Sequence, residues 1–161
     1  MITTRLACAD DASFLEDMLI EAINWNPTRP ALSRSAVLSH HSNRHYVEGW
    51  PRETDLGVIA EDPHTGPVGA AWLRFFHAAD PSYGFVAEDI PEVSIAVVAQ
   101  QRGDGIGDRL LSELEHKARQ RGLPALALSV DPANPALRLY ERHGYRRDGG
   151  SGGSYTMRLD L

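Results

Sequence analysis

The sequence predicts an α/β fold on a mixed, mostly antiparallel sheet flanked by helices. Three observations predict it. Strand-like and helix-like stretches interleave without the strict βαβ alternation of a parallel sheet, two strand pairs flank turn-rich connections, and a glycine-rich corner leads from a strand into the most amphipathic helix. The expected order is β-α-α-β-β-β-α-β-α-β-β. At 161 residues and 17.7 kDa the chain is expected to form one domain, residues 1–161, long enough to bury a core without staples.

Ile2 to Leu6 reads as a short strand. Asp10 or Asp11 then caps a helix whose apolar residues Phe14, Leu15, Met18, Leu19, Ala22 and Ile23 recur at i, i+4 and i+8. Trp25 to Pro30 breaks that pattern, and Ser33 to Val47 is a weaker helical region interrupted by polar residues. Asp55 to Glu61 and Val68 to Phe76 flank Asp62-Pro63-His64-Thr65-Gly66, which predicts an antiparallel hairpin. His77 to Asp89 is a polar and aromatic loop of 13 residues, long enough to cover a site rather than merely connect. Glu92 to Val98 alternates, with Val93, Ile95 and Val97 on one face and Glu92, Ser94 and Ala96 on the other. From Gly107 to Arg121 the stripe Ile106, Leu110, Leu111, Leu114 and Ala118 defines a helix that Gly122 and Pro124 stop. Ala125 to Val130 is a buried strand. Asn134 caps a short helix with Pro135 at its first position, ended by Gly144. Tyr145 to Arg147 and Tyr155 to Leu159 close the chain as strands around Gly149-Gly150-Ser151-Gly152-Gly153, read as a hairpin loop.

Composition narrows the function. Hydrophobic residues at 42% and charged residues at 24% exclude a disordered, collagenous or coiled-coil chain. With 22 acidic and 16 basic residues the net charge is −6, which gives no general attraction to nucleic acid or anionic membranes, and neither partner is expected. No run approaches the ~18 apolar residues of a membrane span, and Met1 to Arg5 lacks the charged and apolar regions of a secretory signal, so a cytoplasmic location is expected. The lone Cys8, in an apolar strand-like run, is read as a small buried side chain.

The most informative stretch runs from Val97 to Gly107, Val-Val-Ala-Gln-Gln-Arg-Gly-Asp-Gly-Ile-Gly. Glycines at alternate positions permit a tight turn and close ligand approach, and the first amides of the following helix form a socket for an anion. Arg102 adds a fork suited to phosphate oxygens. A Walker loop fails because Asp108 and Arg109 follow Gly107, a dinucleotide fingerprint fails on glycine spacing and chain position, and a kinase glycine loop lies between strands.

Arg102 to Gly107 resembles the pyrophosphate-binding signature of the GNAT superfamily of N-acyltransferases, in the form Arg-Gly-x-Gly-Ile-Gly. Asn134 to Tyr145 resembles the family's second signature, Asn-x-x-Ala-x-x-Leu-Tyr-x-x-x-Gly-Phe/Tyr, in the expected order and spacing. Ala99 departs from the family's pattern, where many members have Pro. The resemblance implies acetyl-CoA as co-substrate and direct transfer to the primary amine of a small molecule or peptide in a ternary complex, and it is compatible with a homodimer. It also implies that Arg102, Gly103, Asp104, Gly105, Ile106 and Gly107 hold the diphosphate. Backbone amides of Val97 and Val98 would hold the thioester carbonyl, while Ala99 and Asn134 would contact the pantetheine arm. Tyr140 would protonate the departing thiolate.

An alkylamine of pKa ~10.4 must lose a proton before attack, a penalty of about 4–5 kcal/mol at pH 7, so a base is useful. Glu92 occupies a position used for that base in some members. Read by itself, it is equally a solvated strand-end carboxylate; Tyr140 is the sharper candidate, beside the reading of a core tyrosine packed on the sheet. The acyltransferase reading therefore stands beside an acyl-CoA-binding module without transfer activity. A hydrolase built on Gly149-Gly150-Ser151-Gly152-Gly153 lacks the strand–turn–helix context that such a nucleophile needs. His41 and His45, four residues apart, are compatible with metal ligands. Without a Glu-x-x-His or Cys set they read as a surface pair, and no metal is expected. Trp25, Trp50, Tyr83, Phe85, Asp80, Glu88 and Asp89 lie in segments that the resemblance puts on the acceptor side.

Overall fold

A computed structural model describes residues 1–161, except for the side chain of Ser151, on which the hydrolase reading rests and which lies outside the described residues. The strands are β1 (Thr3–Leu6), β2 (Leu56–Asp62), β3 (Gly66–Arg74), β4 (Glu92–Val97), β5 (Ala125–Val130), β6 (Arg146–Ser151) and β7 (Ser154–Asp160). The helices are α1 (Ala12–Ile23), α2 (Arg34–Leu38), α3 (His41–Arg44), α4 (Ile106–Gln120) and α5 (Ala136–Arg142). The seven strands form one sheet in the order β1-β2-β3-β4-β5-β7-β6, antiparallel at every junction except β4–β5. This is the expected mixed, mostly antiparallel architecture.

The alternation in β4 sends its two faces to different cores. Val93, Ile95 and Val97 join the cluster under α4 and α5, where Leu110, Leu111, Leu114 and Ala118 are fully buried along the expected stripe. Ala96 joins the opposite cluster, where Leu15, Met18 and Leu19 of α1 meet Val37, Tyr46, Trp50 and Trp72. Glu115 interrupts the α4 stripe and is nonetheless buried, because His143 Nδ1 sits 2.9 Å from its Oε1 while His143 Nε2 sits 2.7 Å from Asp108. One imidazole thus bridges two carboxylates of α4 and anchors the end of α5.

Three local expectations are corrected. The region 33–47 is two short helices rather than one, with Ser33 capping α2 by accepting the Ala36 N–H at 3.1 Å. Cys8 is exposed: β1 ends at Leu6, and the chain leaves the sheet edge before the thiol can be covered. Gly149 and Gly150 belong to β6 rather than to the loop. The register with β7 shifts between Arg147 and Gly150, and both glycines take positive φ, +104° and +143°, that a side chain would strain.

Candidate functional site

At β4 the sheet divides. β3 pairs with β4 along its whole length, from Glu92 opposite Arg74 to Val97 opposite Gly69, whereas β5 registers with it at one pair, Glu92 opposite Ala127. Past that pair the main-chain groups of β4 on this side face a gap. Val98 N–H donates to the Val68 carbonyl at 2.8 Å, toward β3. Successive strand amides alternate in direction, so the Val97 N–H points the other way, into the gap. Of the two amides expected to serve a carbonyl, Val98's is taken up by the ladder with β3, and Val97's alone faces the opening.

The chain leaves β4 through a single 3-10 turn, Ala99–Gln101, and Gly103 and Gly105 then take φ of +88° and +79°. A Cβ on either would meet nothing within 4 Å, so it is the left-handed backbone, not crowding, that calls for glycine here. Gly107 differs: its Cβ would touch Leu139 of α5 at 3.5 Å, which makes it a packing position. The first helical bond of α4 runs from the Arg109 N–H to the Gly105 carbonyl at 3.1 Å. The amides of Ile106, Gly107 and Asp108 therefore lie outside the helical ladder, at its positive end. The Ile106 side chain is buried in the core, and Asp104 is exposed. Arg102 stands beside the turn with its guanidinium engaged, Nη2 donating to Glu21 of α1 at 2.8 Å and Nε to the Val97 carbonyl at 3.2 Å. Asn134 caps as expected, its Oδ1 accepting the Ala136 N–H at 3.0 Å, with Pro135 just before the first helical residue.

Glu92 is 4% exposed, so the solvated strand-end reading is set aside. Its Oε2 accepts a short hydrogen bond from the Tyr46 hydroxyl, and its Oε1 accepts from the Ser82 hydroxyl at 2.8 Å and the Gly84 N–H at 2.6 Å. Burial pushes the carboxyl up to about 7, against the pull of these three donors toward the ionised form. Gly84 is required by close approach: a Cβ there would lie 2.6 Å from Glu92 Oε1 and 2.6 Å from the Leu128 carbonyl carbon. The segment 82–84 is thus pressed between the carboxylate and β5. Tyr140 of α5 is also buried, its ring edge-on to Tyr145 at 5.9 Å. Burial, and after it the charge of Glu92, holds its phenol well above the usual tyrosine range, so it keeps its proton.

Tyr46, Ser82 and Gly84 were not anticipated from sequence. Their partner Glu92 is 46 residues from Tyr46, and no local spacing announces the contact. The wall behind them is fixed by the fully buried Arg74. Its guanidinium grips Asp55 through Nη2 at 2.7 Å and Nε at 3.1 Å, and its Nη1 donates to the carbonyls of His45 and Glu48 at 3.0 and 2.7 Å. The tryptophans divide. Trp50 is buried, with Nε1 donating to the Cys8 carbonyl at 3.1 Å, so it is core, while Trp25 is half-buried. His41 is exposed, but His45 is only 3% exposed, which corrects the surface-pair reading for the second histidine.

Comparison with known proteins agrees with this geometry. The candidate phosphinothricin acetyltransferase YwnH of Bacillus subtilis is 38% identical over 90 residues, which are 54% of this chain and 51% of that protein. The chain thus spans about half the length of the curated relative it matches. The crystal structure of a ribosomal-protein-alanine N-acetyltransferase from Brucella melitensis superposes with a TM-score of 0.69 at 27% identity, covering 99% of both chains. A phosphinothricin acetyltransferase from Sinorhizobium meliloti in complex with acetyl-CoA shares the fold at 22% identity, with a TM-score of 0.67 over 99% of this chain and 88% of that one. Residues 19–145, from the middle of α1 to the start of the last hairpin and including the parted strands and the glycine turn, match the family model itself: the chain belongs to the acetyltransferase (GNAT) family.

Proposed function

We propose that the chain, acting as one catalytic domain over residues 1–161, transfers the acetyl group of acetyl-CoA directly to a primary amine. The observation that carries this reading is the parting of β4 from β5, with a buried carboxylate, Glu92, at its closed end and the protonated phenol of Tyr140 on the helix beside it.

The residues present suit this co-substrate. Bare amides at the head of α4, over open surface at Gly103 and Gly105, match a diphosphate in charge. The unpaired edge of β4 past Glu92 offers main-chain groups to an arm that carries amides, and Asn134 flanks it. When bound, acetyl-CoA supplies an activated acyl carbon and a thiol leaving group. Val97 N–H, facing the gap, would donate to a thioester carbonyl held there; removing one such donor elsewhere costs about 2.7–4 kcal/mol. The Arg102 guanidinium has more donors than Glu21 and the Val97 carbonyl engage, and it can offer them to a phosphate beside the turn.

Glu92 acts as general base. The carboxylate is buried behind Tyr46, Ser82 and Gly84, so the amine proton arrives through a water or through the Tyr46 hydroxyl rather than by direct contact. A carboxyl near 7 is matched to this task, being ionised in a large fraction at neutral pH yet basic enough to hold a proton. Tyr140 acts as general acid toward the thiolate; a thiol of pKa ~8.5 asks only modest help from a phenol. The relatives' names point to two acceptors, phosphinothricin and an alanine of a ribosomal protein. The exposed Tyr83, stacked on Tyr46 with ring centroids 6.3 Å apart, gives the acceptor side an aromatic lip suited to either.

The experiment is turnover of acetyl-CoA across a panel of small amines, amino acids and peptides, followed by thiol release. CoA release with one of these acceptors, lost in Tyr140→Phe, supports transfer. Tight acetyl-CoA binding with no release for any acceptor would favour a binding module.

A further inference from the structure

His41 and His45 lie four residues apart across α3 and its C-terminal cap, a spacing that puts both rings on one side. Asp80 comes to meet them from the 77–89 loop, in a tight turn closed by its own N–H donating to the His77 carbonyl at 2.9 Å. Asp80 Oδ2 lies 2.8 Å from His41 Nε2, and Asp80 Oδ1 lies 3.3 Å from His45 Nδ1 without the alignment of a hydrogen bond. The His45 ring is wedged among Phe76, Tyr46 and His41, with centroids at 4.8, 5.0 and 5.2 Å. It is 97% buried in the sense that 3% of its surface is exposed, and neither of its ring nitrogens has a hydrogen-bond partner.

Two orphaned nitrogens on one buried ring are an exception that calls for a physical reason, since buried polar atoms in folded proteins are almost always paired. Nothing already assigned to the acetyl-transfer site uses them. We propose that His41, His45 and Asp80 form a binding site for a divalent transition metal of the zinc class. One ligand atom from each residue lies within 4.8 Å of the others. Tetrahedral zinc with bonds of about 2.0–2.2 Å spaces its ligands about 3.4 Å apart, close to the 2.8 and 3.3 Å that separate the Asp80 oxygens from the two ring nitrogens. Two imidazoles and a carboxylate suit zinc rather than calcium or magnesium, and three protein ligands leave a fourth position for water.

The location gives the site a role. Asp80 sits two residues before Ser82 and four before Gly84, both of which hold Glu92. A metal joining Asp80 to α3 would staple this loop to the wall that carries Tyr46, fixing the clamp around the carboxylate from outside the cleft. The inference concerns binding and does not depend on the acetyl-transfer reading.

The test is zinc titration of the untagged, chelator-treated full chain against a chromophoric competitor, repeated with cobalt for its tetrahedral absorption. The wild-type chain is expected to take one equivalent and to gain melting temperature with zinc. His41→Ala and Asp80→Asn alter exposed side chains and leave the core in place; each is expected to weaken binding tenfold or more and to abolish the melting shift. No stoichiometric binding, or a smaller effect from either variant, overturns the proposal and leaves the cluster as a hydrogen-bonded pair beside a strained ring. His45→Asn is not relied on, because its loss opens the aromatic packing.

Discussion

The two sides of the cleft are built by different means. The side proposed for the acyl donor is contiguous: β4, the glycine turn, α4, β5 and α5 follow one another along the chain. The acceptor side is assembled from a distance, with Tyr46 after α3, Ser82 and Gly84 from a long loop, and Arg74 from β3 all meeting at Glu92 or behind it. The difference follows from the tasks. Holding an anion and aiming an amide require backbone directions, which a strand–turn–helix unit supplies by itself. Tuning a carboxylate requires burial among chosen donors, which only a segment folded over it can provide.

The strongest way to break the comparison is to loosen the acceptor wall alone. Arg74→Met leaves Asp55 buried without its partner and is expected to destabilise the chain by about 3–5 kcal/mol in a urea titration. A change below 1 kcal/mol would mean that the wall does not rest on this pair. Tyr140→Phe strikes the donor side without touching stability. Turnover should fall by roughly 10²-fold with acetyl-CoA affinity unchanged, as measured by thiol release and calorimetry. Gly105→Val forces a β-branched residue into φ +79°, a strain of about 1–3 kcal/mol that should appear as weaker acetyl-CoA binding with the fold retained. Wild-type affinity in that variant would count against the turn as the diphosphate site.

Two smaller effects sharpen the contrast by pH. If Glu92 is the base, kcat/KM should rise through about pH 7 as it ionises. Tyr46→Phe removes a donor that favours the ionised form, so this limb should move to higher pH, whereas a purely structural tyrosine would lower the rate without moving it. On the donor side, burial alone would lower the His143 pKa, but its hydrogen bonds with Glu115 and Asp108 prevail and raise it. The folded state therefore binds this proton more tightly than the unfolded chain. The stabilisation is fully present below about pH 6.5 and is lost as pH rises through the folded value. The stability gap between wild type and His143→Gln should accordingly shrink from pH 6 to pH 9 in urea titrations.

What was legible in the sequence follows the same division. The α4 stripe, the Asn134 cap and the bounds of β5 depend on neighbours within one or two turns, and the sequence displays them directly. Glu92 could be nominated by position but not characterised, since its burial comes from Tyr46 and the 82–84 segment. That the Val98 amide is spent on β3 is not legible locally, because alternation decides which amides a strand gives its neighbour and the phase is set by the pairing with β3. Cys8 looked buried because an apolar run resembles a strand whether or not the sheet continues beneath it. His41 and His45 gave half of their cluster; Asp80, from a loop without periodicity, completed it.

Among the described residues, Glu92 opposite Ala127 is the one registered pair between the first four strands and the last three, so the sheet is built as two plates that meet at a single rung. How far the plates gape is set by the side chains wedged behind them, such as Leu110, Leu139 and Tyr140, and not by any ladder across the gap. Volume changes in that buried layer, far from any ligand contact, should therefore widen or pinch the slot, giving evolution a way to refit the molecule to a bulkier acyl chain without altering a single binding residue.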